Sequence, residues 1–281
     1  MSSFTIPQEI SMIISSDPVN GATNISSDGS SFEVQLQDGL KIPKDALNVS
    51  IAVEEANIWW VVPNINPGVN DKIYITGPNN LDVITNFVLT IPQGLYDLTG
   101  LNQAILRELE NQQAKISPDP LITLSADEAT QRVEIRFNYN TVSIDFSPTD
   151  TPREILGFNG QVYGPFANVP QTLPAPNVAQ FNQVNYFLIH SDLTNKGIRF
   201  NNNYSQTIAQ VLIDVPPGSQ IVSKPFNPAK ISATELTGTN RTNLRFWLTD
   251  DKDRRVNTNS EYWSARVVIK YLLPYVVGRS S

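Results

Sequence analysis

Apolar and polar residues alternate along most of this chain. Phe32, Val34 and Leu36 are separated by Glu33 and Gln35, and Leu47, Val49, Ile51 and Val53 repeat the pattern. A period of two puts the apolar side chains on one face of an extended strand and the polar ones on the other, as in a half-buried antiparallel sheet. Similar segments begin at Ile58 (IWWVV), Lys72 (KIYIT), Val83 (VITNFVLTI), Asn185 (NYFLIHS), Thr207 (TIAQVLIDV), Lys230 (KISATEL), Asn243 (NLRFWLT) and Tyr262 (YWSARVVIKYL). Pro63, Pro67, Pro216, Pro217, Pro225 and Pro228 punctuate the connections, since proline cannot donate to a sheet ladder. About ten strands of this kind fit two facing sheets.

One interval has a different period. In GLNQAILRELENQQAK, starting at Gly100, the residues Leu101, Ile105, Leu106 and Leu109 recur at helical spacing and predict the one long helix. Short strands are predicted after it at LITLSA, VEIRFNY and TVSIDFS. TPREILGF predicts a short helix, with Thr151 as N-cap, Pro152 at the first helical position, Glu154 closing a capping box and Gly157 as the stop. The chain thus reads as mainly β: a single sandwich over residues 31–81 and 161–281, interrupted by an α+β insertion domain at 82–160 and preceded by an arm and linker at 1–30.

The arm carries an extended pattern of its own. Phe4 and Ile6, then Ile10, Met12 and Ile14, alternate with other residues, and a Ser-, Asn-, Gly- and Asp-rich linker follows from Ser15 to Ser31. An apolar strand on a tether needs a sheet edge. It is either the first strand of its own sandwich or a strand added to a neighbouring protein, held there by main-chain hydrogen bonds. The linker is long against the roughly 4–6 residues usual between strands, which favours the neighbour. A second feature of this kind is Trp247. If Leu244, Phe246 and Leu248 face the core, Arg245 and Trp247 share the opposite face, where a large aromatic implies a second packed layer or a subunit contact.

Composition narrows the function. Of the 281 residues 40% are hydrophobic and only 17% charged, with net charge −7, so a grip on nucleic-acid phosphates through clustered cations is not expected. Cysteine is absent, which removes disulfides, zinc thiolates and a thiol nucleophile. The first residues, MSSFTIPQEISMIISSDP, lack the basic and continuous apolar regions of a signal peptide, and no run approaches the roughly 18 apolar residues of a transmembrane segment.

Candidate chemistry is sparse. There is no G-x-S-x-G elbow or phosphate-binding glycine loop, and one histidine cannot make a metal triad. His190 reads as a structural or rim histidine. Glu54 and Glu55 are strand neighbours that point to opposite faces unless a bulge intervenes, whereas a glycosidase needs two carboxylates about 5–10 Å apart in one cleft. In LRFWLTDDKDRRVN, a calcium loop counted from Asp251 would place Arg255, Val256 and Tyr262 where an acid or amide, glycine and glutamate are needed. The acids therefore read as a solvated hairpin tip between adjacent strands. No metal, cofactor or catalytic residue is predicted, and the chain reads as a non-enzyme.

The order of motifs adds a resemblance. TIPQGLYDLTGLNQAI, LITLSADEATQRVEI, REILGF, NYFLIHSDL, VPPGSQIVSKPFNP, LRFWLTDDKDRRVN and EYWSARVVIKYL, between Val83 and Leu273, together resemble the penton (minor capsid) proteins of virophages and Polinton-like viruses. The resemblance implies a single jelly-roll β-sandwich interrupted by an α+β insertion. It implies homopentamers at the icosahedral fivefold vertices of a virion assembled inside the infected host cell, contact with a double jelly-roll major capsid protein, and no catalytic residues. Phe4, Ile6, Ile10, Met12, Ile14, Arg245 and Trp247 are then the candidate capsid contacts. The alternative is a jelly-roll module that binds a glycan or host receptor.

Overall fold

The computed structural model describes residues 3–182, 184–199 and 205–276. The chain opens with β1 (Ser3–Ser15), β2 (Ala22–Thr23), β3 (Ser31–Lys41) and β4 (Leu47–Trp59). It continues through β5 (Lys72–Pro78), β6 (Ile84–Thr90), helix α1 (Leu98–Asn111), β7 (Ile122–Asp127), β8 (Arg132–Phe137), β9 (Ser143–Asp145), α2 (Arg153–Leu156), β10 (Val162–Tyr163) and β11 (Gln171–Pro174). It closes with β12 (Tyr186–Ser191), β13 (Thr207–Leu212), β14 (Gln220–Ser223), β15 (Ile231–Ser232), β16 (Asn240–Thr249) and β17 (Ser264–Val276). Two compact units result: residues 1–62 with 184–281, and residues 63–183.

The first unit has two antiparallel sheets. One runs β1-β17-β4-β14, with β15 also on β4; the other runs β13-β12-β16-β3-β2. Alternation along each strand turns Ile51, Val267 and Ile269 of the first sheet, and Phe32, Phe187, Leu244 and Phe246 of the second, into a common buried core. Rings mesh across it: Phe32 meets Trp263 edge-on at 5.0 Å, and Trp60 meets Phe187 at 5.9 Å. Each such side chain contributes roughly 1.5–3 kcal/mol on burial.

The N-terminal arm docks on its own chain: β1 pairs with β17 from Ser3↔Val276 to Ser15↔Ser264. Its linker has little slack, because it must cross from one sheet to the other. On the way it forms a 3-10 turn at Pro18–Asn20 and the β2 pairing with β3, and Asp28 Oδ1 accepts from the backbone and hydroxyl of Ser30 at 2.9 and 2.7 Å. IWWVV is no separate strand, since β4 runs on to Trp59. KISATEL shrinks to β15 and a 3-10 turn at Thr234–Leu236. The opposite-face reading of Glu54 and Glu55 also fails. Arg266 pairs with Glu55 but Val267 with Val53, so Glu54 is the extra residue of a bulge. Both carboxylates sit outside the core, Glu54 near Arg266 and Lys270, Glu55 near Lys224.

The second unit is wider than the expected 82–160. β5 pairs with both β6 and β9, and β10 and β11 add to β9 and β8, which draws residues 63–81 and 161–183 into it. Its sheets are β10-β9-β5-β6 and β11-β8-β7. Helix α1 starts where Asp97 accepts from the Gly100 amide at 2.6 Å, an N-cap, and buries Leu101, Ala104, Ile105 and Leu109 against a cluster that includes Phe87, Leu89, Ile135, Phe137 and Phe146. Helix α2 stops as expected at Gly157, whose φ of 80° suits glycine. Its predicted capping box is absent. Thr151 donates instead to the Phe146 and Pro148 carbonyls at 3.5 and 3.0 Å, so its hydroxyl is engaged upstream.

Asn64 ties the entry of this unit to its exit. Buried at 2% exposure, it donates from Nδ2 to the carbonyls of Tyr96 (2.7 Å) and Phe181 (3.1 Å) and accepts the Tyr96 amide at 2.9 Å. Asn64→Ala leaves these part-buried groups unpaired and is expected to cost the second unit about 1–3 kcal/mol. Calorimetry should show that unit's transition lowered. The tryptophan fluorescence midpoint should hold, because Trp59, Trp60, Trp247 and Trp263 all lie in the first unit. An unmoved calorimetric profile would refute the tie.

Candidate functional site

The acidic stretch after β16 is a sheet-to-sheet crossing and not a hairpin tip, because β16 and β17 belong to different sheets. Nor is it solvated throughout. Asp250 is only 3% exposed, with Oδ1 accepting from the Lys252 and Arg254 amides, each at 2.9 Å, and Oδ2 engaging Arg254 at Nε (2.8 Å) and Nη2 (2.7 Å). One carboxylate thus folds the turn, and Asp253 completes it at a φ of 59°. Asp251 turns aside to accept from Asn185 at 2.5 Å. The acids go to separate partners, and no group of three His, Asp or Glu among the described residues is placed to hold a metal ion.

Arg245 and Trp247 do share the outer face of β16, and the fold brings two further residues to them. His190 on β12 is the cross-strand partner of Trp247, its ring parallel to the indole at 5.3 Å. The guanidinium groups of Arg255 and Arg245 lie 5.2 and 5.9 Å from the indole centre, within cation–π range. Thr249 and Thr207 hydroxyls hold the imidazole, at 2.8 Å from Nε2 and 3.2 Å from Nδ1, and Asp253 Oδ1 is 3.8 Å from Nε2. Burial pushes the His190 pKa down to about 4, with Asp253 opposing and Arg255 adding to the shift. The histidine is therefore neutral at pH 7, and its position is structural. Burial beside Arg245 also lowers the pKa of Arg255. Trp247 itself remains half-buried among these neighbours.

The arm residues divide. Ile10, Met12 and Ile14 face Ile269, Val267 and Ala265 of β17. Ile14 is buried at 2% exposure, which leaves it unavailable to a neighbour, and Ile10 and Met12 are half-buried. Phe4 and Ile6 are 59% and 44% exposed. Their end of the β1–β17 ribbon extends past β4, whose final pair with β17 is Leu272↔Leu47, so it lacks that strand as cover. On the outer face of the same sheet Lys270 lies 3.3 Å from both Glu9 and Glu54, exposed pairs worth about 0–1 kcal/mol each.

Alternation in the sequence pointed to Arg245 and Trp247 but gave no sign of His190 or Arg255 beside them. His190 is set there by the β12–β16 register and Arg255 by the crossing that follows β16, and a local pattern carries no register between residues as far apart as His190 and Trp247.

What these residues define is a mainly β protein with several antiparallel sheets and no evident catalytic constellation among the described residues. No family model and no curated protein sequence matches the chain. Among solved structures it is similar to the crystal structure of the selenomethionine-labelled mavirus penton protein, with 12% sequence identity, 94% of this chain and 100% of that chain covered, and a TM-score of 0.46.

Proposed function

We propose that the chain is a structural capsid protein, a penton subunit whose first unit is a jelly roll. The strand order is the observation that carries this reading. With β1, β3, β4, β12, β13, β14, β16 and β17 counted first to eighth, the neighbours include first with eighth, second with seventh, third with sixth and fourth with fifth. That is the pairing of a long antiparallel ribbon rolled on itself. The second unit enters between the third and fourth of these strands, which fits a jelly roll with one insertion. Together with the ordered motifs from Val83 to Leu273, this supports a subunit that forms homopentamers at fivefold vertices and contacts a double jelly-roll major capsid protein.

A closed ring uses a heterologous interface, one patch meeting a different one on the next copy. Phe4 and Ile6 at the uncovered ribbon end, and Trp247 with Arg245, are the contact residues of this reading, since aromatics and arginine concentrate in interface cores. Native mass measurements across protein and salt concentrations should give a species of five chains. Moderate salt should promote it, because five copies at −7 each repel at low ionic strength. Trp247→Ala should weaken assembly at least tenfold while lowering the unfolding free energy of the first unit by only about 1–2 kcal/mol, the loss of a stacked, half-buried ring. Monomer alone under all conditions, with another protein at the vertices of particles, would refute the proposal.

A further inference from the structure

The second unit holds a polar hollow that the capsid reading does not use. Its volume is about 650 Å3, within the roughly 300–1,000 Å3 of small-ligand sites. Ser147, Arg153, Glu154, Asn159, Asn177 and Gln180 supply its polar side chains, and Val178, 48% exposed, gives it an apolar spot.

Its walls are fixed without a ligand. Arg153 Nη1 donates to the carbonyls of Phe146 (2.9 Å), Ser147 (3.1 Å) and Pro148 (3.1 Å), which sets the plane of the guanidinium. Asn177 donates from Nδ2 to the Gly157 carbonyl at 3.2 Å and to Asn159 Oδ1 at 3.3 Å, and from its backbone to Gly157 at 3.0 Å. Glycine permits this closeness. A Cβ on Gly157 would come 2.3 Å from the Asn177 carbonyl, and one on Gly160 would come 2.8 Å from Arg153 Nη1.

Other groups in the hollow have no partner among the described residues. Within these bonds Asn159 keeps its amide nitrogen as a donor and Asn177 keeps Oδ1 as an acceptor. The Gln180 amide and the Glu154 carboxylate are free at their side chains. Arg153 and Glu154 are the charged residues of the lining, one of each sign. That balance disfavours phosphate, sulfate and carboxylate ligands, which need an excess of cations and would meet Glu154. The polar walls disfavour an apolar ligand. A sugar hydroxyl both donates and accepts, and adjacent hydroxyls can bridge the mixed donors and acceptors of planar amides and a carboxylate.

We propose that this hollow binds a neutral carbohydrate, an uncharged saccharide end of a glycan, and that the second unit is a glycan-recognition module. The inference rests on the second unit alone and holds whether or not the chain forms pentamers.

The test uses the full chain on arrays of neutral glycans ending in glucose, galactose, mannose or N-acetylhexosamine, with sialylated and sulfated glycans as the charged arm. Saturation-transfer NMR on the best binder follows. Neutral glycans should bind, and Glu154→Ala and Gln180→Ala should each weaken binding by about tenfold, the effect of one polar contact with its partner left unpaired. Both residues are exposed and both variants should keep the parent's thermal transitions, while Glu128→Ala, exposed elsewhere on the same unit, should bind as the parent does. Binding confined to charged glycans, absence of neutral binding at millimolar ligand, or binding indifferent to both substitutions would overturn the proposal.

Discussion

Replacing Trp263 with alanine is expected to remove about 3–5 kcal/mol from the stability of the first unit, the range for large aromatics truncated in a core. Trp263 is 2% exposed and stands where three segments meet. Its backbone amide donates to Ser16 Oγ at 2.9 Å, its carbonyl accepts the Ser16 amide at 2.9 Å, its indole donates to the Gly29 carbonyl at 3.3 Å, and its ring packs edge-on against Phe32. Truncation would leave a cavity beside Phe32 and the Gly29 carbonyl without its indole donor. Urea unfolding followed by the fluorescence of the three remaining tryptophans measures the loss in the first unit alone. A change below about 1 kcal/mol would mean that the neighbouring side chains close over the gap.

The second large effect is a loss of stability in acid set by His190. The unfolded chain takes up this proton near pH 6.5, whereas in the fold burial delays it to about pH 4. Between those values the unfolded state binds more protons, so stability falls as pH falls. At the lower end the loss amounts to about 3 kcal/mol. Above pH 7 the group is neutral in both states and contributes no slope. The chain has one histidine, so its ring resonances report the folded pKa directly. Urea midpoints from pH 7 to 4.5 should fall less steeply in His190→Gln than in the parent chain. Parallel profiles for the two proteins would sink the assignment.

The elements that the sequence reveals are those whose cause is local. Period-two alternation located β3, β4, β12, β13, β16 and β17 and placed Phe32, Leu244, Phe246 and Leu248 on the core side, all four of them buried. Helical spacing located α1 and three of its four buried residues, Leu101, Ile105 and Leu109. Pairing has no local cause. Ile10 faces Ile269 across most of the chain, and nothing within the arm distinguishes that edge from one on another molecule. The bulge at Glu54 arises from a mismatch between β4 and β17, and so appears only once both are in register. The insertion's true limits were hidden because β5 alternates just as the sandwich strands do. The hollow was hidden for a different reason: Asn177 and Gln180 lie in residues 160–182, a segment rich in Pro and Asn whose composition reads as loop, and only the folded chain brings them beside Arg153 and Glu154 of α2.

The strand β17 lies between β1 and β4 in its sheet, yet it is the last of these strands to leave the ribosome. Translation at about 5–20 residues per second puts roughly 5–20 s between the emergence of residues 184 and 276. Until then β1 has no partner and β4 lacks its central neighbour, while every strand pairing of the second unit falls within residues 63–183. The nascent chain therefore acquires its middle first. For some seconds β1 and β4 wait for β17 and β3 waits for β16, and in that interval chaperones, or the matching strands of a neighbouring nascent chain, compete for the same edges.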